Sequence, residues 1–416
     1  MRLALCLALL VSGAGLAQQE PAETEESHLR SVLAGASSGP EAFIKAIETH
    51  LAKYPNAPRR AEMERSLVQA AIETRDDERV VRYGELIIAR GDADPDILSR
   101  VTYSLLSQPG AERAERALRY AKIYEEKLRA LGRDKPAFRS EQAALKENVD
   151  RGLSRAYMFQ ARALGSLGRL DEAVKTAATG FDTYPTAESA REMALLYSRA
   201  GKDLDAAKWY ANAFAVEDPR STAAERAEDR RRMGESYLKA QGSSAGLGDL
   251  VLHAYDLMAA RLEKHREEIR RVDPNYGVTD PINFTLSALQ GDPLALSTLT
   301  GKVVVLDFWA TWCTPCRVQY PIYEEVKQKF AGRKDVVFVS VNTDQEPEVV
   351  GPFLEKNGWD KTVYFEEGLS RVLRVDAIPT TVIMGRNGKV AAQMPGFDPG
   401  TFAETLSARI REALGE

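Results

Sequence analysis

Cys313 and Cys316 stand three positions apart, with Thr314 and Pro315 between them. Just before them, residues 303–308 read VVVLDF, an apolar run without helical period. Such a run suits a strand covered on both faces. The spacing then predicts a helix opening at Cys313. Pro315 fits a first helical turn, where its missing N–H is not needed. A sulfur at a helix N-terminus meets free N–H groups and the positive end of the helix dipole. Cys313 is therefore expected to ionise more readily than free cysteine, and the thiolate is the form that attacks disulfides. Cys316, one turn inward and more buried, is the expected resolving thiol. C-x-x-C is also half of a zinc site. Zinc takes four ligands, and the sequence offers no second Cys or His pair, so no metal or other cofactor is expected. Asp307 interrupts the apolar strand. A carboxyl buried there tends to keep its proton, because desolvation disfavours its charge. An Asp bonded to strand-end backbone is the alternative. Trp312, beside Cys313, is placed on the substrate-contact face, and Trp309 in the core.

The motif WCTPC after VVLDFWAT resembles thioredoxin-fold proteins. The whole approach, GKVVVLDFWATWC, is similar to the TlpA/ResA-type periplasmic thiol-disulfide oxidoreductases. The resemblance covers about the last third of the chain and includes a second, distant motif, Ile378-Pro379-Thr380. It implies a thioredoxin-like domain that exchanges disulfides with protein thiols through a mixed disulfide. A membrane thiol-transfer protein would supply electrons if the chain works as a reductant. The resemblance also implies a cis Pro379 facing the cysteines. Ile378 and Thr380 beside it are the expected substrate contacts, the residue before the proline offering backbone groups to an extended segment. Asp307 would take the proton of the resolving cysteine. Many members carry a Glu three residues after the second Cys, in a pattern like CRxExP. Here the residues are Arg317-Val318-Gln319-Tyr320-Pro321, and Gln319 cannot titrate. The duty of that Glu is absent or has passed to Asp307.

Two other functions are alternatives to this one. A peroxidase on a related fold would need a Pro-x-x-x-Thr-x-x-Cys setting, which the sequence lacks. A binding scaffold with a vestigial redox domain is disfavoured by the intact WCTPC and Ile378-Pro379-Thr380 motifs.

The chain has 416 residues, which implies at least two domains, and a formal net charge of −5 with no basic block to suggest a nucleic-acid partner. Residues 1–17 read as a secretory signal: Arg2, an apolar run too short for the ~20 residues of a membrane span, then small residues. Cys6 lies inside that run, so the mature chain would keep only Cys313 and Cys316. In an oxidising, periplasmic or extracytoplasmic compartment, a lone vicinal pair reads as a working couple.

The elements that must position the pair are predicted as follows. Residues 18–27 are acidic and expected to be disordered. Residues 28–271 are helical. Ala173 to Ala207 and Pro185 to Pro219 are each 34 apart, the tetratricopeptide (TPR) period, with turns at Gly168 and Gly201. Weaker helical copies precede them at 41–54, 79–90 and 96–107. A TPR-like array offers a partner-binding surface; a degenerate spacer or dimerisation domain is the alternative. His28, His50, His253 and His265 are scattered here and read as surface residues. A loop at 242–248 is followed by a helix at 250–271. Residues 272–281 form a linker and 282–416 the redox domain. That domain is expected to contain a hairpin, core strands at 335–342 and 381–384, and a type I′ turn at Asn387-Gly388. A final helix is expected to be capped at Asp398-Pro399. The fold class is thus multidomain, all-α TPR-like repeats followed by an α/β thioredoxin-like domain.

Overall fold

The computed structural model describes residues 24–36 and 39–416. The expected signal at 1–17 and most of the expected disordered stretch lie outside these residues. Residues 25–27 of that stretch are helical instead. The Thr24 hydroxyl accepts from the Ser27 N–H and starts the helix there.

The chain divides into two compact units, one ending at Ala121 and one running from Lys122 to Glu416. The first holds α1 (Glu25–Ala34), α2 (Pro40–Lys53), α3 (Arg60–Glu73), α4 (Asp77–Ala89) and α5 (Pro95–Leu106). Helix α6 (Ala111–Leu131) begins in it. Side-chain oxygens of Asp76 and Asp94 cap α4 and α5. Helices α4 and α5 approach closely at Gly84, where a Cβ would lie 2.1 Å from Val101 Cγ2. His28 and His50 are not surface residues. Their Nδ1 atoms are 3.0 Å apart, and Glu25 meets the other nitrogen of His50 at 2.8 Å. His50 lies on the apolar face of α2 with Ile47 and Leu51, so its burial came with the helical period. His28, the one buried residue of α1, packs on its ring, and each polar nitrogen named here found a partner.

The second unit continues with α7 (Arg139–Ser166), α8 (Leu170–Thr183), α9 (Ala187–Arg199), α10 (Asp203–Ala215), α11 (Ala223–Gln241) and α12 (Leu247–Arg270). The turns after α7 and α9 are copies of one another. Gly168 and Gly201 take positive φ, and the next N–H returns to Leu164 O and Tyr197 O, each at 2.9 Å. That is the Schellman ending, which favours glycine. Ala173 and Ala207 are fully buried where paired helices meet. His265 is half-buried with its ring edge-on to Tyr184, and His253 is exposed.

Residues 272–281 are not a free tether. The Asn275 side chain brackets the backbone of Thr285 with bonds of 2.7 and 2.9 Å, and the Tyr276 hydroxyl donates to Glu147 on α7 at 2.8 Å. Then come β1 (Thr285–Leu286) and β2 (Leu294–Ala295), paired antiparallel. The main sheet is built from β3 (Val303–Trp309), β4 (Val336–Asn342), β5 (Val363–Phe365), β6 (Thr380–Met384) and β7 (Val390–Pro395), in the order β5-β4-β3-β6-β7. Strand β4 runs parallel to β3 and β6 antiparallel to it. Every residue of β3 is buried, as expected of a central strand with both faces covered. Helix α13 (Thr314–Lys329) makes the crossover to β4, α14 (Val350–Asn357) and α15 (Leu369–Leu373) flank β5, and α16 (Phe402–Leu414) closes the chain.

Two turns differ from the sequence expectation. In the β6–β7 hairpin only Gly388 has positive φ, and its N–H returns to Gly385 O at 2.9 Å. A right-handed turn followed by one left-handed residue adds a bulge, seen as the register shift at Ile383/Met384, so the turn is not type I′. Asp398 binds Gly400 N–H and the Thr401 hydroxyl, but Thr401 occupies the N-cap position of α16.

Candidate redox site

The end of β3 and the start of α13 meet at the cysteines. Cys313 occupies the N-cap position of α13, and Pro315 sits in its first turn. Cys313 and Cys316 are joined as a disulfide, with Cα atoms 5.3 Å apart. The Cys316 N–H points at Cys313 Sγ, 3.2 Å away. This is the helix-terminal donor that would stabilise a thiolate after reduction. Burial does not separate the two sulfurs as expected. Both residues are 3% exposed, so their difference lies in helix position, with Cys313 at the terminus and Cys316 within the first turn.

The turn before the cysteines is fixed by an aspartate that sequence reasoning missed. Asp344 accepts from the Thr311 N–H and hydroxyl, both at 2.8 Å, and from the Asn342 side chain at 2.7 Å. The Asn-Thr-Asp run that ends β4 was a usable signal, since such residues bond locally at strand ends. Trp309 is core, its Nε1 donating to Ser340 Oγ at 2.7 Å. Trp312, next to Cys313 in the chain, is 67% exposed.

Asp307 is buried in the middle of the sheet. Its Oδ1 accepts from Gln319 Nε2 at 2.7 Å and from the Thr381 hydroxyl at 3.1 Å. Burial pushes its carboxyl up to about 7, and the two hydrogen bonds pull it back only in part. Gln319 lies three residues after Cys316 and so on the same face of α13. Its role as the direct partner of Asp307 could not be read from sequence. Asp307 also lines a cavity of about 130 Å³ with Tyr323, Glu324 and Lys327. That is room enough to bring water to the carboxyl. The Tyr323 hydroxyl in that wall is buried, which raises its pKa well above the usual tyrosine range.

The Ile378–Pro379 bond is cis. Pro379 is buried, and its carbonyl accepts from the Gly396 N–H at 2.8 Å. Ile378 packs against the apolar cluster that contains both cysteines and is only partly buried. Thr380 is different. It is 1% exposed and its hydroxyl is bonded to Ala377 O, so its side chain holds the chain's own loop. Among the described residues, no cluster of three or more His, Cys, Asp or Glu side chains is arranged to hold a metal ion.

Known proteins resemble this part of the chain. A thioredoxin-like family model matches residues 301–390. The thiol-disulfide oxidoreductase ResA of Bacillus thuringiensis (strain Al Hakam) is 30% identical over 136 residues, which is 32% of this chain and 73% of that protein. The ResA of Bacillus subtilis (strain 168) is 32% identical over 120 residues, covering 28% of this chain and 66% of the relative. A solved structure described as a thiol:disulfide interchange protein DsbE from Chlorobium tepidum shares 36% identity, covering 32% of this chain and 93% of that one, with a TM-score of 0.29. A vicinal cysteine pair at a helix start, a buried aspartate behind it and a relative matched over most of its length lead to one placement. This chain belongs to the thioredoxin-like thiol-disulfide oxidoreductases of the ResA family.

Proposed function

We propose that this protein is an extracytoplasmic reductant of protein disulfides, working through a mixed disulfide at Cys313. The observation that carries the reading is Cys313 Sγ at the N-terminus of α13 with the Cys316 N–H aimed at it. In the reduced protein, the Cys313 thiolate attacks a substrate disulfide and one substrate sulfur leaves as a thiol. Cys316 then loses its proton and attacks Cys313 Sγ. The second substrate thiol leaves, and the Cys313–Cys316 disulfide forms. Two electrons have passed to the substrate, and a membrane thiol-transfer protein returns them. Asp307, titrating near neutrality, is the group we assign to accept the Cys316 proton. Trp312 and Ile378 frame the approach to Cys313. The TPR-like helices, whose hairpins repeat with matching turns at Gly168 and Gly201, offer the surface we assign to a partner protein.

Extracytoplasmic placement is supported by the leader-like residues 1–17 and by the lone vicinal cysteines. No helix among the described residues is long and apolar enough to cross a membrane. A Cys316→Ser variant expressed in the native host should accumulate mixed disulfides with its substrates, visible as reducible high-mass species outside the cytoplasm. The native protein should reduce insulin in the presence of a dithiol. Absence of both trapped species and insulin reduction would reject the proposal.

A further inference from the structure

Part of the apolar surround of the cysteines comes from outside the redox domain. Phe138, the residue before α7, packs against the cluster of Trp309, Ala310, Cys313, Cys316 and Phe365. Its ring meets that of Phe365 edge-on, with centroids 5.7 Å apart. Ile378, beside the cis proline, packs on the same cluster.

The next residue fastens this contact. Arg139 Nε donates to Glu367 Oε1 at 3.2 Å, and a terminal nitrogen donates to the Thr285 carbonyl at 2.8 Å. The Glu367 side chain is only 1% exposed, and Ser287 Oγ also donates to it. A carboxylate taken out of water is costly unless paired. Here the pairing cation lies 228 residues earlier in the chain. The Tyr276 hydroxyl, bonded to Glu147 on α7, adds a second attachment. Phe138 is therefore seated, not merely near.

We propose that Phe138 is a specificity-determining residue for disulfide exchange at Cys313. The helical region supplies an apolar wall to the cluster on which Ile378 also packs, and the Arg139–Glu367 pair holds it in place. Such a wall favours an extended protein segment whose cystine is flanked by apolar side chains. It disfavours disulfides with charges next to the sulfurs, because the wall cannot solvate them. The inference rests on the redox function proposed above.

The test uses the reduced full-length protein in single turnover, with two probes. One is a peptide whose cystine is flanked by leucine and valine; the other is glutathione disulfide. Each turnover oxidises the two protein thiols to the Cys313–Cys316 disulfide and reduces one probe disulfide to two thiols. The readout is the ratio of the two rates, in which a general change in thiol reactivity cancels. Phe138→Ala should lower the ratio at least fivefold, and Phe138→Leu should keep it near the native value. The paired change Arg139→Gln with Glu367→Gln should lower the ratio as Phe138→Ala does, and it keeps the test open if Phe138→Ala misfolds. A ratio within twofold of native in both Phe138→Ala and the paired variant overturns the proposal. If the native protein reacts with neither probe, the redox function itself fails, a different result from an unchanged ratio.

Discussion

At the scale of single residues, the carboxyl of Asp307 carries the clearest consequence. In the unfolded chain it titrates near 4, and in the fold burial raises it to about 7. Between those values the folded chain holds the extra proton. The stabilisation from this group is therefore complete below about pH 4 and is lost as pH rises through 7. A shift of this size corresponds to a change on the order of 4 kcal/mol. Urea unfolding at pH 5 and pH 8 should show a fall in stability that Asp307→Asn largely removes, leaving that variant the more stable protein at pH 8. The same substitution should slow resolution of a mixed disulfide by about tenfold or more in stopped-flow single turnover. Unchanged resolution would deny Asp307 its proton-transfer role. The cysteines and Asp307 were legible as residue types in a recognisable order along one strand and one helix. The Gln319–Asp307 bond was not, because it joins residues brought together only when α13 packs on β3.

At the scale of elements, the helical pairs obey a rule visible in their turns. Gly168 and Gly201 end α7 and α9 alike, so the hairpins of this region could be placed from sequence. The close approach of α7 to α8 could not. A Cβ at Gly180 would lie 2.8 Å from Tyr157 Cβ and 3.1 Å from Ser154 O, both parts of α7 that do not swing aside. Gly180→Ala should therefore destabilise the protein by about 1–3 kcal/mol, despite the better helix propensity of alanine. A thermal midpoint equal to native would show that the two helices can separate without loss. His28 and His50 were misread for a related reason. A histidine is usually exposed, and only the packing of α1 on α2 gives each ring a partner. The redox domain was easier to read, since its buried strands are continuous apolar runs bounded by turn residues. Within it, the hairpin turn was misassigned because Asn387-Gly388 suits more than one loop length.

At the scale of the whole molecule, the join between helices and redox domain is where linear reading was least informative. Asp273-Pro274-Asn275-Tyr276-Gly277 has the composition of a tether, yet Asn275 and Tyr276 are bound on opposite sides. Arg139→Ala would leave Glu367 without its cation and should cost about 3 kcal/mol in chemical unfolding. Adding Glu367→Gln should recover most of that loss. If the single and double variants unfold alike, the ion pair does not hold the join. Because adjacent residues of the connecting stretch bind Thr285 on one side and Glu147 of α7 on the other, it acts as a strut. Were a client gripped by α7–α12, it could offer the catalytic sulfur only those disulfides that lie at one set distance from the grip. Such a molecule would select its reaction partner with a ruler, where a slack connector would sample every disulfide within its reach.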